Sequence, residues 1–273
     1  TDFLSNMSHD IRTPMNAIIG ITALMKNEMG EPEKLQEHLE KLESSGRHLL
    51  GIINDILDMN RIESGQTSLN IVSVNLADQL AQLDSMIRPQ AAERDQTLTF
   101  FTTHLRHENV MCDPTRLSQV LVNILSNSVK YTPRGGHISL EVEEIPRTGH
   151  YLKYKFIVKD DGIGMSKEFI QHLYDPFTRA ESSMTSRVQG TGLGMAITKS
   201  VVDLMGGVIH VDSVPGKGTR FEVTLEFPID ANADESREQL SILLLGCGPE
   251  NYQRIKDATE GRPVLLQAVP HIE

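Results

Sequence analysis

The sequence predicts an α+β protein: a helical hairpin that pairs with a second copy as a four-helix bundle, followed by an α/β sandwich in which helices cover a mixed sheet. Three observations predict it. Residues 1–64 carry apolar side chains at a seven-residue period, broken once near residue 30. From about residue 68 several stretches alternate with a period of two, and helical stretches interleave with them. A chain of 273 residues, 39% of them hydrophobic, is long enough for two domains and can bury a core.

Each element follows from its own residues. In residues 1–29, Leu4, Ile11, Ile18 and Met25 form one row, with Met7, Pro14 and Ile21 beside it. "GEP" at 30–32 is a break. A second helix sets Leu35, Leu42, Leu49 and Ile56 in one row and Leu39 and Ile53 in the next, and Gly65 can close it after Ser64. Two such helices cannot enclose their own apolar stripes, and seams this long favour a second hairpin over packing on the next domain. Beyond them "SLNIVSVNL" reads as a strand, 75–93 as a helix, "TLTFFTTHL" as a strand and 113–131 as a helix. Residues 137–144 and 150–160 alternate as strands, 191–206 is helical, and 207–214 and 219–227 are strands. "PIDANADESREQL", 228–240, is polar and reads as a linker, after which "SILLL" opens a new buried strand. The chain thus divides into residues 1–65, 66–228, a linker at 229–240 and a last segment, 241–273.

Composition excludes several classes of function. A formal charge of -11 argues against a broad nucleic-acid surface. Cys112 and Cys247 make neither a disulfide framework nor a zinc motif, which fits a reducing compartment. No apolar run approaches the ~20 residues that span a bilayer, and no signal peptide is visible. A chain that opens directly in a helical pattern reads as a piece of something longer.

Four constellations carry chemistry. In "SHDIRTPMN", taking Leu4 and Met7 as the a and d positions puts His9 at f, farthest from the seam. Asp10 is next to it, and Thr13 lies one turn on. Pro14 lacks an N–H and crowds the carbonyl of Asp10, so it is expected to bend the helix. An outward imidazole beside a carboxylate can act as a nucleophile, although most such surface neighbours do nothing. In "CDPTRLSQVLVNILSNSVKYTPRGG", Asp113 reads as an N-cap with Pro114 at N1. Leu117, Val120, Leu121 and Ile124 form a buried stripe, and Arg116, Gln119, Asn123, Asn127 and Lys130 another. Asparagine is a poor interior helix residue, so two at i and i+4 need a reason beyond a solvated face. Amide oxygens can ligate a hard cation such as Mg²⁺, and Lys130 can meet a phosphate.

In "YLKYKFIVKDDGIGM", Leu152, Tyr154, Phe156 and Val158 share a face that Asp160 continues. A carboxylate there calls for a donor, which a ligand amino group such as adenine N6 would supply. Gly162 and Gly164 permit a sharp turn close to a ligand. In "GTGLGMAITKSVVDLMGG", a glycine-rich turn opens a helix, so the N–H groups of Gly192 to Gly194 can face phosphate. It is neither a Walker A loop nor a dinucleotide fingerprint. The preceding "TRAESSMTSRVQ" reads as a mobile lid. "VPGKGTRFEVTLEFP" is a glycine turn feeding an alternating strand, which structural need alone could explain.

Taken in order, these motifs resemble the catalytic core of a bacterial sensor histidine kinase of hybrid type. "SHDIRTPMN" looks like the H box, "NILSNSVKY" the N box, "DDGIGM" the G1 box, "DPFTRA" the F box, "GTGLGMAI" the G2 box and "GKGT" a later glycine box. The likeness covers about residues 1–228. It implies a homodimerising, histidine-phosphotransfer hairpin at 1–65 and, at 66–228, an ATP-binding sandwich of the type shared with gyrase and Hsp90. It further implies that His9 accepts phosphate from ATP, that Asp10 is its general base, and that Thr13 positions water for a phosphatase reaction. Asn123 and Asn127 would serve Mg²⁺, Lys130 and Arg179 phosphate charge, Tyr131 the base and Asp160 adenine N6. Gly162, Gly164, Gly190, Thr191, Gly192, Leu193, Gly194 and Thr219 would shape the nucleotide pocket and lid. The implied partner is the receiver domain of a response regulator, with no nucleic acid, a cytoplasmic location, and any membrane anchor in a segment not present here. The rivals are another ATPase of this fold and a non-catalytic nucleotide-binding scaffold. The tail "SILLLGCGPENYQRI" looks like the start of a receiver. Gly246 and Cys247 stand where an acidic pair would hold Mg²⁺, so 241–273 is expected to be a degenerate or partial module that takes no phosphate.

Overall fold

The computed structural model describes residues 2–28, 32–65, 67–103, 105–145, 151–178, 191–228, 240–245 and 264–269. They form two compact units. One comprises Thr1–Thr67 with Leu173–Ile197, the other Ser68–His172 with Thr198–Glu273.

The first unit is built on α1 (Asp2–Asn27) and α2 (Pro32–Glu63), packed along each other. The seven-residue rows fall as the sequence predicts. Pro14 is buried, with Met7, Ile11, Ile18, Ile21 and Met25 half-buried around it, while Leu35, Leu42 and Leu49 lead to buried Ile52, Ile56 and Met59. α1 runs through Pro14 without a break in its helical assignment. Gly65, at φ 65°, takes the left-handed conformation that closes α2. At the other end of the hairpin His38 Nε2 lies 2.8 Å from a Glu28 carboxylate oxygen. A second apolar row stays outside. On α2 it holds Leu50, Ile53 and Leu57, at three- and four-residue spacings, with Leu39 about three turns earlier, and on α1 Met15 and Ile19.

The second unit is a sandwich around one large sheet. After β1 (Val72–Asn75) come α3 (Leu76–Ala92), β2 (Thr97–Thr103), β3 (Asn109–Cys112), α4 (Pro114–Tyr131), β4 (His137–Ile145), β5 (Tyr151–Asp160) and the single turn α5 (Lys167–Gln171). The helix α6 (Gly194–Leu204) runs from the first unit into the second and is followed by β6 (Val208–Val214), β7 (Gly218–Pro228), β8 (Leu240–Leu245) and β9 (Val264–Val269). The strand order is β6-β7-β5-β4-β2-β8-β9, with β1 and β3 as a separate antiparallel pair. β2 pairs parallel with β4, while β4–β5, β5–β7 and β6–β7 are antiparallel.

Alternation decides the sheet's faces. Leu98, Phe100, Ile138, Leu140, Val142, Leu152, Tyr154, Phe156, Val158, Val223 and Leu225 are buried, and α3 and α4 lie against this sheet. Their neighbours along the strands are mostly polar, and the ion pairs Lys155–Glu222 at 3.1 Å and Lys159–Glu141 at 3.5 Å link adjacent strands. Cys112 is buried among these elements, and burial, with Asp113 beside it, pushes its thiol up to about 12. That leaves it an inert core residue.

Five elements depart from expectation. The strand expected at 68–76 is confined to Val72–Asn75, and it ends there because the Asn75 side chain accepts a hydrogen bond from the Asp78 N–H and caps α3. The helix expected from 191 starts at Gly194, since Gly192 takes a left-handed φ of 69°. β3, α5 and β9 are too short to show a period and were not expected. The strand expected at "SILLL" is β8, which joins the β2 edge at Phe100↔Leu245 and pairs in parallel with β9. Most of the linker, Cys247 and the turn after β8 lie outside the described residues. Among the described residues no helix is long and apolar enough to cross a membrane.

Candidate functional site

α4 begins as the sequence predicts. The Asp113 Oδ1 accepts from the Arg116 N–H at 3.0 Å, Pro114 sits in the first turn, and Oδ2 accepts from the Asn70 N–H at 2.9 Å. Its core stripe is fully buried. The polar stripe of Arg116, Gln119, Asn123, Asn127 and Lys130 is half-buried throughout, which rules out a merely solvated face. Asn123 Nδ2 donates to Thr198 Oγ1 at 2.6 Å, and Thr198 is itself buried. With its amide nitrogen so engaged, Asn123 keeps its carbonyl oxygen as a potential cation ligand, and Asn127 stands one turn on. Lys130 Nζ lies 5.1 Å from the centre of the Tyr131 ring.

Asp160 ends β5 and gathers donors from three elements. The Ser128 hydroxyl on α4 donates to its Oδ2 at 2.9 Å. The Gly162 and Thr219 N–H groups donate to Oδ1 at 3.0 and 3.2 Å. Burial raises the pKa of this carboxyl, and the bonds from Ser128, Gly162 and Thr219 oppose the rise. Two glycines are required by the backbone here. Gly164, at φ 65°, would drive a side chain into the Val214 carbonyl, and Gly218, at φ 99°, into the Asp160 carbonyl. "GKGT" therefore lets β7 approach Asp160 closely and places the Thr219 N–H. Ser213 steadies that end of β7: its hydroxyl lies 3.0 Å from the Gly218 carbonyl oxygen and 2.9 Å from the Thr219 hydroxyl, and it accepts from the Met165 N–H.

The first unit holds the remaining candidates. The Phe177 N–H donates to the Gly192 carbonyl at 3.0 Å, and both residues take left-handed φ values, 64° and 69°. A side chain at Gly192 would meet the Phe177 backbone at 2.7 Å, so the "DPFTRA" and "GTGLGMAI" segments fit together only with glycine there. Leu193 is buried, and its N–H donates to the Thr191 hydroxyl. That hydroxyl in turn donates to Asp55 on α2 at 3.0 Å. On α1, Asp10 is half-buried and Thr13 exposed. The side chain of His9, and all of Arg179 and Gly190, lie outside the described residues.

The structure therefore brings Asp160, Gly162, Gly164 and Thr219 together around one carboxylate, and strings Asn123, Asn127, Lys130 and Tyr131 along one helix. His9, Asp10, Thr13, Thr191, Gly192, Leu193 and Gly194 belong to the other unit. Ser128, Thr198, Ser213 and Gly218 were not among the expected site residues. Ser128 had a signal: it stands four residues after Ile124, on the buried stripe, where a hydroxyl needs a partner.

Residues 1–65 match the family profile described as the His Kinase A (phospho-acceptor) domain, and residues 112–229 that of the Histidine kinase-, DNA gyrase B-, and HSP90-like ATPase. The chain belongs to the sensor histidine kinase family. Sensor histidine kinase GacS of Pseudomonas protegens is 36% identical over 271 residues, 99% of this chain and 28% of that protein. The chain spans roughly a quarter of the length of the curated relatives it matches, 27% and 28% for the first two. Among solved structures, full-length ShkA in complex with AMPPNP shares the fold at a TM-score of 0.65 and 24% identity, over 99% of this kinase chain and 56% of ShkA. Histidine kinase ThkA in complex with the response regulator TrrA shares it at 0.59 and 20%, over 87% and 63%.

Proposed function

We propose that the chain is the catalytic core of a two-component kinase, which transfers the γ-phosphoryl group of ATP to His9 and then to an aspartate of a response regulator receiver. The observation that carries this reading is the occurrence in one chain of a phospho-acceptor helix bearing His9-Asp10 and a half-buried, donor-stabilised carboxylate at Asp160, each inside its own family match. Asp160 fits an adenine amino group, because Oδ2 still has room for a second donor. Tyr131 packs near the base, and Lys130 and Arg179 hold phosphate charge.

In the chemical step Asp10 orients the imidazole and takes the proton of one ring nitrogen. The other nitrogen attacks the γ-phosphorus in line, the bond to the bridging oxygen breaks, and ADP leaves. Mg²⁺ fits the donor set: the Asn123 amide nitrogen is engaged by Thr198, which leaves its carbonyl oxygen, and with Asn127 one turn on it would hold the ion together with phosphate oxygens. Bound there it would offset charge on the phosphates. Thr13, one turn from His9, positions a water for the reverse reaction on the receiver. AMPPNP in ShkA and TrrA on ThkA support nucleotide and receiver as the two partners. The exposed row on the hairpin supports a homodimer through it.

Incubation with γ-labelled ATP and Mg²⁺ tests the reading. Acid-labile, base-stable label on the protein is expected. Release of free phosphate with no protein label would favour an ATPase, and binding with neither would favour a scaffold.

A further inference from the structure

We propose that Ser128 is a positioning residue that gives this site its preference for a 6-amino purine, by holding Asp160 Oδ2 in place as an acceptor with one vacant lone pair. The inference rests on the reading of Asp160 as the group that meets the nucleobase. A carboxylate offers about four lone-pair sites. The Gly162 and Thr219 N–H groups occupy Oδ1, and the Ser128 hydroxyl occupies one site on Oδ2. The place that remains accepts a single donor. An exocyclic amino group supplies that donor, whereas a 6-oxo purine presents an oxygen and is repelled.

The geometry makes Ser128 the controlling member of the set. The two Oδ1 bonds come from backbone, which no side-chain change removes. Among the described residues Ser128 supplies the side-chain hydrogen bond to this carboxylate, and it reaches Oδ2, the oxygen that no backbone N–H occupies. At 3% exposure the hydroxyl does not trade this bond for water. Without it, Oδ2 would sit beside a methyl group, where burial favours holding a proton on the carboxyl. A protonated carboxyl can donate to a 6-oxo group, so it no longer separates the two bases. Phosphoryl transfer to His9 makes no use of Ser128, whose hydroxyl is committed to Asp160.

Calorimetric titration of ADP and IDP into the full chain, with wild type, Ser128→Ala, Ser128→Cys and Asp160→Asn, tests the inference. Wild type is expected to favour ADP, and Ser128→Ala to narrow the ADP/IDP affinity ratio by at least about tenfold, the scale of losing a hydrogen bond to a charged group. Ser128→Cys, close in size and a weak donor, falls between them and decides the matter alone if the alanine variant does not fold. A ratio unchanged in the Ser128 variants, even with both affinities reduced together, overturns the proposal and leaves Asp160 in its role. A ratio unchanged in Asp160→Asn overturns the reading of Asp160 itself, and this inference with it.

Discussion

The Asp160 carboxyl sits where burial disfavours charge, and the direction of its shift has a consequence for stability. Its pKa in the folded chain is raised, chiefly by desolvation. The folded state therefore binds this proton more tightly than the unfolded chain does. The contribution to stability is fully present below the ordinary aspartate range and is lost as pH rises through the folded value. Ionising this carboxyl therefore lowers the stability of the folded chain. Asp160→Asn should raise the thermal midpoint at pH 7 and narrow that gain at pH 4, while ADP affinity falls; a lowered midpoint at pH 7 would count against the argument. Thr13 carries a separate expectation. Thr13→Ala should leave labelling of the kinase intact and slow dephosphorylation of the receiver severalfold, because one turn from His9 a hydroxyl can hold water but is not needed for attack on ATP. An unchanged dephosphorylation rate would reject that role. Asp160, Gly162 and the asparagine pair were legible in the sequence because each breaks a local rule: a charge continuing an apolar face, or amides inside a helix. Ser128 broke one as well, a hydroxyl on the buried stripe of α4, but neither it nor Thr198 names its partner in one dimension. Their meaning depends on partners 32 and 75 residues away.

The elements were legible wherever a period could repeat. α4 shows cap, Pro and two stripes in the expected places, and β5 alternates as read. Strands of four residues and the single turn α5 offer too few repeats to separate from loop. The glycine turns divide in the same way. Structural need alone could explain "GKGT" in the sequence, and the need becomes specific once β7 is seen against the end of β5, where Gly218 passes the Asp160 carbonyl. Gly164 makes the stronger test, because an alanine there combines a left-handed φ with a clash on the Val214 carbonyl. Gly164→Ala should destabilise the second unit by at least about 1–3 kcal/mol, read as a lower urea midpoint at unchanged slope. A midpoint within error of wild type would show that the turn relaxes freely. Pro14 is the converse case. It is buried on the seam inside a continuous α1, so packing on α2 outweighs the backbone hydrogen bond it forgoes.

At the scale of the whole molecule, the hairpin's outer row predicts assembly. Leu50 is 62% and Ile53 38% exposed in the single chain, on a face whose spacing continues through Leu39 and Leu57. Ile53→Glu should convert a dimer to a monomer in sedimentation velocity while the second unit keeps its unfolding transition; a dimer that persists would place the interface elsewhere. The sequence could not show that residues 173–197 cluster with the hairpin, or that β8 extends the sheet beside β2, because both depend on contacts between distant segments. The central claim is that one histidine, on a helix separate in sequence from every nucleotide motif, receives the phosphoryl group. The most direct measurement compares wild type with His9→Gln, following γ-labelled phosphate on the protein and ADP affinity in the same preparations. Label should vanish in the variant while ADP affinity stays within about twofold of wild type, since a substitution outside every nucleotide motif should shift it by no more than ~0.5 kcal/mol. Acid-labile phosphate still forming on His9→Gln would contradict the assignment outright.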